Sequence, residues 1–99
     1  MSLTAQQKVD AIDEFARAMK ELGVSFEEAA RDLGTTPAYV EDVAHLRSRA
    51  IEHPWILRNY LLACAERTGA SAPRFSVLSG DYHRYWFLDA ALIDRGLLS

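Results

Sequence analysis

The sequence predicts a mainly α-helical fold, made of a tri-helical, repressor-like helix-turn-helix core, a fourth helix and a C-terminal β-hairpin. Two observations predict the core. Apolar residues recur at spacings of three and four through much of the chain, and residues 25–46 hold two short helix patterns joined by a turn. The hairpin is predicted by a change of period after residue 73, where two β-prone runs flank a cluster of turn residues.

The first helix is predicted over residues 4–22. Thr4 and Gln7 form a capping box, in which each side chain bonds to the backbone amide of the other residue. Gly23 follows and can end the helix in the left-handed conformation. The apolar residues of this segment recur at helical spacing, and they are Val9, Ile12, Phe15, Ala16, Met19 and Leu22.

The predicted helix-turn-helix unit occupies residues 25–46. Ser25 caps a short second helix that Gly34 closes, and Thr36 followed by Pro37 matches the cap and first turn of a third helix. Such a unit needs a small residue inside its first helix, a glycine where the backbone turns left-handed, and branched apolar residues beyond. The residues at these scaffold positions are Ala30, Gly34, Val40 and Val43.

Residues 54–99 are predicted to hold the fourth helix and the hairpin. Pro54 opens the helix and Gly69 stops it, and the hairpin strands are RFSVL and YHRYWFL, separated by the turn SGD. The tail DAALIDRGLL adds one helical turn before it frays. Strand side chains alternate between two faces, so one aromatic face covers the helices and the other needs the tail or a second protomer. The candidate dimer surface is therefore Tyr82 and Trp86 on one face, with Tyr85 and Phe87 on the other.

Length and composition predict one soluble domain over residues 1–99. The chain is 49% hydrophobic and 25% charged, which is ordinary for a globular protein. Its single cysteine, Cys64, cannot form an internal disulfide, so we expect a small core residue in a reducing compartment. The sequence shows neither an apolar segment long enough to cross a bilayer nor a secretion signal, so we expect a cytoplasmic protein without membrane contact.

The charge distribution bears on nucleic-acid binding. The net charge of -3 is a mild argument against such binding, because neutralisation of phosphates supplies most of the affinity. Residues 1–44 hold four basic and nine acidic side chains, whereas residues 45–80 hold five arginines and two glutamates. This asymmetry can orient a molecule on a polyanion or pair one protomer with another. The cations predicted to contact phosphates are Arg31, Arg47 and Arg49.

The runs HPWILRNYLL and GDYHRYWFLDAALIDRG, with the helix-turn-helix before them, resemble a small family of uncharacterised bacterial proteins, the domain-of-unknown-function 2316 family. The resemblance covers almost the full length and implies no assigned activity. Residues 26–45 also resemble repressor-type helix-turn-helix units, which implies a transcription regulator. That resemblance places Glu27 near the DNA backbone, and it implies the base-facing residues Thr36, Ala38, Glu41, Asp42 and His45. The carboxylates of Glu41 and Asp42 differ from the amide, hydroxyl and arginine side chains that are usual at base-facing positions.

No catalytic or metal-binding residues are predicted. His45, His53 and His83 lie 8 and 30 residues apart, without the spacing of metal ligands. Cys64 has no signature of a nucleophile, and residues 79–81 are a turn rather than a phosphate cradle. We therefore expect no cofactor and no enzyme activity.

Three functional hypotheses remain. The first is a homodimeric regulator that binds double-stranded DNA, since repressor-type units read paired half-sites about 34 Å apart. The second is a protein-interaction module that no longer binds DNA, because Glu41 and Asp42 lie on the predicted DNA-facing surface. The third and least favoured is a small-molecule sensor or enzyme, with a pocket near Trp55, Tyr82, His83 and Trp86.

Overall fold

The computed structural model describes residues 3–98, which fold into helices and irregular segments. The helices follow in the order α1 (Ala5–Leu22), α2 (Phe26–Leu33), α3 (Pro37–Ala44), α4 (His53–Thr68) and α5 (Ala90–Arg95), with a 3-10 turn at Tyr82–Arg84 between α4 and α5. Within residues 3–98, no helix has both the length and the apolar character that crossing a lipid bilayer requires.

Local hydrogen bonds that the sequence predicts set the N-terminal ends of α1 and α2. Thr4 Oγ1 accepts from the Gln7 amide at 3.1 Å, and Gln7 Oε1 accepts from the Thr4 amide at 2.9 Å, so the capping box of α1 is reciprocal. Ser25 Oγ caps α2 by accepting from the Glu28 amide at 3.0 Å. These bonds satisfy amides that have no partner inside a helix.

Gly34 makes the turn between α2 and α3. Its φ of 73° lies in the left-handed region, where a side chain would crowd the backbone. The following amide, that of Thr35, donates back to the Ala30 carbonyl at 3.0 Å and closes the end of α2. Thr36 Oγ1 then accepts from the Tyr39 amide at 3.2 Å, so α3 starts immediately after the turn.

The central helix of the core is α4. Its side chains Ile56, Leu57 and Leu61 are buried, and α1 contributes Phe15 to the same cluster. Burial of one such side chain contributes about 1.5–3 kcal/mol. The shorter helix α3 contacts α1, α2 and α4, so its position is fixed from three sides.

The prediction of a C-terminal β-hairpin is wrong, and so is the predicted fold class that included it. No strand forms within residues 3–98, and the chain from residue 70 to residue 89 is irregular apart from the 3-10 turn. Asp81 helps to explain this, because its carboxylate accepts from the His83 amide at 3.0 Å and closes a local turn that competes with strand pairing. Tyr82 and Tyr85 do not alternate, since both rings pack on Trp55 at centroid distances of 6.0 and 5.7 Å.

Helix side chains bind backbone groups of this irregular segment. Glu14 in α1 accepts from the Ser76 amide at 3.1 Å. Arg58 in α4 donates to the Leu78 carbonyl at 3.2 Å. These bonds, made with distant helices, satisfy polar groups that a neighbouring strand would otherwise have paired.

The tail forms more structure than the single turn predicted from the sequence. Asp89 caps α5 by accepting from the Leu92 amide at 3.2 Å. Beyond α5, the Leu98 amide donates to the Leu33 carbonyl at 2.8 Å, and the Leu98 side chain is fully buried. The tail therefore closes the core at the end of α2 instead of fraying.

Candidate functional site

The candidate site is the outward face of α3. Tyr39, Val40 and Val43 point into the core and are buried, which leaves the opposite side of this eight-residue helix open. The five residues predicted to face bases lie together on that side or at its cap: Thr36, Ala38 and Glu41 are exposed, while Asp42 and His45 are half-exposed. The face is small and polar, and three helices support it from behind.

The scaffold residues lie between α3 and its neighbours. Ala30 is 2% exposed, and Val40 and Val43 are fully buried. Ala30 belongs to α2, the helix that makes the most extensive contact with α3. A larger residue at Ala30 would push the two helices apart, because protein interiors have little free volume.

Asp42 and Arg47 form an ion pair that the sequence reasoning missed. Arg47 donates from its guanidinium to Asp42 Oδ1 at 3.1 Å, and its amide donates to the Asp42 carbonyl at 2.7 Å. Leu46 lies between them with φ of 58°, the one positive value at a non-glycine residue in the described chain. Arg47, which is predicted to bind phosphate, thus neutralises Asp42, which is predicted to face the bases. The five-residue spacing of the pair is not a helical one, so no periodicity indicates it.

Arg49 also contacts α3 through Tyr39. Its guanidinium carbon lies 4.1 Å from the centre of the Tyr39 ring, and its amide donates to the Tyr39 hydroxyl at 2.9 Å. That hydroxyl lies 2.6 Å from Nδ1 of the buried His53, and the two groups share a hydrogen bond. Burial, followed by the charge of Arg49, lowers the pKa of His53, which favours its neutral imidazole. The chain between α3 and α4 is thus held by a buried polar contact.

The remaining charges around the face have both signs. Glu27, Arg31 and Glu41 are exposed. His45 is turned back on its own helix, where Nδ1 donates to the Glu41 carbonyl at 2.8 Å. Of the three predicted phosphate-binding arginines, Arg31 lies in the last turn of α2. Arg47 is paired with Asp42, whereas Arg49 keeps its positive charge while its guanidinium stacks on Tyr39.

In the structure, the four residues of the predicted dimer surface differ in their exposure. Tyr82, Tyr85 and Phe87 are half-buried and pack against the core. Trp86 differs from them, because it is 91% exposed and touches Phe87 edge-on at a ring-centre distance of 5.9 Å. Most of this aromatic cluster therefore covers the helices.

A separate polar cluster joins the 3-10 turn to α5. The imidazole of His83 lies between two carboxylates, with Nδ1 2.8 Å from Asp81 and Nε2 3.0 Å from Asp94. Tyr82 also donates to Asp94. Hydrogen bonds to Asp94 and then to Asp81 raise the pKa of His83, so its protonated form is favoured here. The cluster is exposed, and its hydrogen bonds join the 3-10 turn to α5.

The placement of the histidine, cysteine and carboxylate side chains bears on metal binding. Within residues 3–98, no three or more His, Cys, Asp or Glu side chains are placed to hold a metal ion. The carboxylates of Asp81 and Asp94 meet opposite nitrogens of His83 rather than a common point. Cys64 is a buried free thiol.

An apolar cavity of about 430 Å³ lies between the first turn of α1, the connection from α3 to α4, and the C-terminal segment. Trp55, one of the predicted pocket residues, forms part of its wall. Tyr82, His83 and Trp86 do not line it. The predicted pocket thus differs from the cavity in three of its four residues.

The chain matches a family model described as uncharacterised protein conserved in bacteria (DUF2316) over residues 1–89. No curated protein and no solved structure matches the chain. The matched range includes α1 to α4 and the 3-10 turn, so the candidate site lies inside it and α5 lies beyond it. The family resemblance predicted from the sequence is confirmed, whereas its helix-turn-helix content stays a prediction. The chain belongs to the DUF2316 family of bacterial proteins.

Proposed function

We propose that this protein is a cytoplasmic, homodimeric, DNA-binding transcription regulator in which α2 and α3 act as a helix-turn-helix. The observation that carries the proposal is the position of α3. Its inner face is fixed by three helices, and its outer face carries the exposed residues Thr36, Ala38 and Glu41. A rigid short helix with a small, polar, uncovered face suits the major groove of duplex DNA.

The proposed contacts divide into two kinds. Thr36, Ala38 and Glu41 face base edges, where the Glu41 carboxylate accepts from the amino group of cytosine. Of the three predicted phosphate-binding arginines, Arg31 and Arg49 contact the phosphates, whereas Arg47 stays paired with Asp42 in the unaltered protein. Because few cations take part, binding is weak on one half-site and needs two protomers on paired half-sites.

The experiment is a fluorescence anisotropy titration of labelled genomic duplex at low salt, with Ala38→Glu as the disruptive variant. A carboxylate in the first turn of α3 favours the helix, so loss of binding would not come from unfolding. Ala63→Glu is the matched control, since Ala63 is an exposed alanine of α4 and the charge change is the same. We expect Ala38→Glu to abolish binding and Ala63→Glu to retain it. Absence of salt-dependent binding by the unaltered protein at micromolar concentration would overturn the proposal.

A second candidate function is a protein-interaction module, favoured by the exposed carboxylates of Glu27 and Glu41 at the same face. In this alternative, the acidic face of α3 docks on a basic partner. Glu41→Lys separates the two functions, because it adds positive charge where DNA would lie and removes the charge that a basic partner would need. DNA binding that persists in this variant with a changed preference at one base pair supports the regulator, while loss of a captured partner without DNA binding supports the module.

A further inference from the structure

We propose that the cavity beside Trp55 binds an amphipathic monocarboxylic acid, with the apolar chain inside and the carboxylate at the edge formed by Lys8 and Arg49. Its volume of about 430 Å³ is in the range of small-molecule sites. Leu46, Ile51 and Phe87 line the cavity together with Trp55 and contribute apolar wall. Burial of an alkyl chain against these side chains supplies the main part of the affinity.

The charges at the cavity determine which head group it accepts. Lys8 and Arg49 belong to its lining, and the described lining holds no acidic side chain. This contrasts with the whole chain, in which 14 acidic residues exceed 11 basic ones. An anionic head group is therefore attracted at the edge of the cavity, and a cationic one of the same length is repelled.

The cavity is also connected to α3. Leu46, which lines it, is the residue with the positive φ at the end of that helix. Arg49 lines it too, and its amide binds the hydroxyl of Tyr39 in α3 at 2.9 Å. A ligand that contacts both residues therefore acts on the segment that leaves the candidate DNA-reading helix. This regulatory part of the inference rests on the proposed function, whereas the binding part does not.

Binding is tested by tryptophan fluorescence in a Trp86→Phe background. The chain has two tryptophans, so this substitution leaves Trp55, in the cavity wall, as the reporter. The probes are decanoate and decyltrimethylammonium, which carry similar alkyl chains and opposite charges. We expect a saturable change with decanoate and an affinity about tenfold above that of the cationic probe. No saturable change, or equal affinity for both probes, would overturn the proposal.

The cationic edge is tested by the double variant Lys8→Gln with Arg49→Gln. We expect it to lower decanoate affinity by about tenfold. The control is Lys20→Gln with Arg74→Gln, which removes the same charge from exposed positions outside the cavity lining. If loss of the Arg49 contact with Tyr39 unfolds the double variant, Lys8→Gln alone replaces it, with an expected loss of about threefold. Equal affinities in the variant and its control would contradict the assignment.

The regulatory part is tested by repeating the duplex titration with saturating decanoate. Because the carboxylate neutralises Arg49, we expect DNA affinity to fall about threefold. Unchanged DNA affinity would overturn the link to α3 but leave the fluorescence result standing. A protein that binds decanoate and never binds DNA would overturn the proposed function instead, so the two failures are distinguishable.

Discussion

Substitution of Asp42 by asparagine should strengthen DNA binding, because it releases Arg47 from its ion pair. The guanidinium lies 3.1 Å from the carboxylate, with 59% of the arginine side chain and 43% of the aspartate side chain exposed. A pair this exposed contributes less than about 1 kcal/mol to folding, so the variant should keep nearly the same melting temperature. Its effect should therefore appear in binding rather than in stability.

The size of the effect follows from counterion release. One additional phosphate contact changes the slope of log affinity against log salt by about -0.9. A fourfold rise in salt should then lower the affinity of the variant about 3.5-fold more than that of the unaltered protein. Anisotropy titrations of the same duplex at a series of salt concentrations measure this slope directly.

Asp13→Asn is the matched control for that experiment. Asp13 pairs with Arg17 at 3.0 Å on the exposed side of α1, and its removal changes the net charge by the same amount. If both variants strengthen binding equally, the cause is overall charge and Arg47 has no special position. If Asp42→Asn weakens binding, the carboxylate itself contacts DNA, and the release of Arg47 is not what governs affinity.

Three further predictions concern the support of the site. Leu61→Ala should lower the free energy of unfolding by about 2–5 kcal/mol in urea denaturation, because this α4 side chain is fully buried. Tyr39→Phe should lower it by about 1–3 kcal/mol, since Nδ1 of His53 would lose its hydrogen-bond partner in a buried position. The third prediction concerns pH. The folded pKa of His83 is raised above 6.5, chiefly by Asp94, so its stabilising contribution is complete below pH 6.5 and is lost as pH rises through the folded value. Melting temperatures should therefore differ between the unaltered protein and His83→Gln in mild acid and converge in alkali.

Each of these predictions has a result that would contradict it. A loss below about 1 kcal/mol for Leu61→Ala would mean that α4 is not the centre of the core. Unchanged stability of Tyr39→Phe would show that water satisfies the imidazole of His53. A difference for His83→Gln that is independent of pH would show that packing, and not the charge of the imidazolium, holds the 3-10 turn to α5.

The helix boundaries were predictable because short-range chemistry determines them. Thr4, Ser25 and Thr36 each bond to an amide three residues further on, and Gly23 and Gly34 both adopt positive φ. These signals lie within one turn of the position that they specify. The sequence therefore predicts the starts of α1, α2 and α3 to within about one residue, which is the uncertainty of helix ends in general.

The C-terminal segment was mispredicted because aromatic residues favour half-buried surfaces of any kind, and not strands alone. Tyr82 and Tyr85 obtain their cover from Trp55, which is more than 25 positions earlier in the chain. The local signals that favour turns were present, since Asp81 and Asp89 both cap short helical segments. The alternation in the run YHRYWFL favours a strand over the same residues, so two local signals compete there.

The candidate site was only partly predictable for a similar reason. The side of α3 that faces outward follows from helical spacing, so its residues could be named in advance. Their partners could not, because the bonds of Tyr39 to His53 and to Arg49 span 14 and 10 residues. The cavity likewise combines three segments that are distant in sequence. Only the folded chain brings these groups together.

The most direct test of the central claim, that the outward face of α3 binds duplex DNA, is an NMR titration of the isotopically labelled protein with a genomic duplex at low salt. We predict that amide shifts concentrate at residues 36–47, with smaller changes around Arg31. Shifts confined to the aromatic residues 82–87, or no shift at any amide at micromolar protein, would contradict the account.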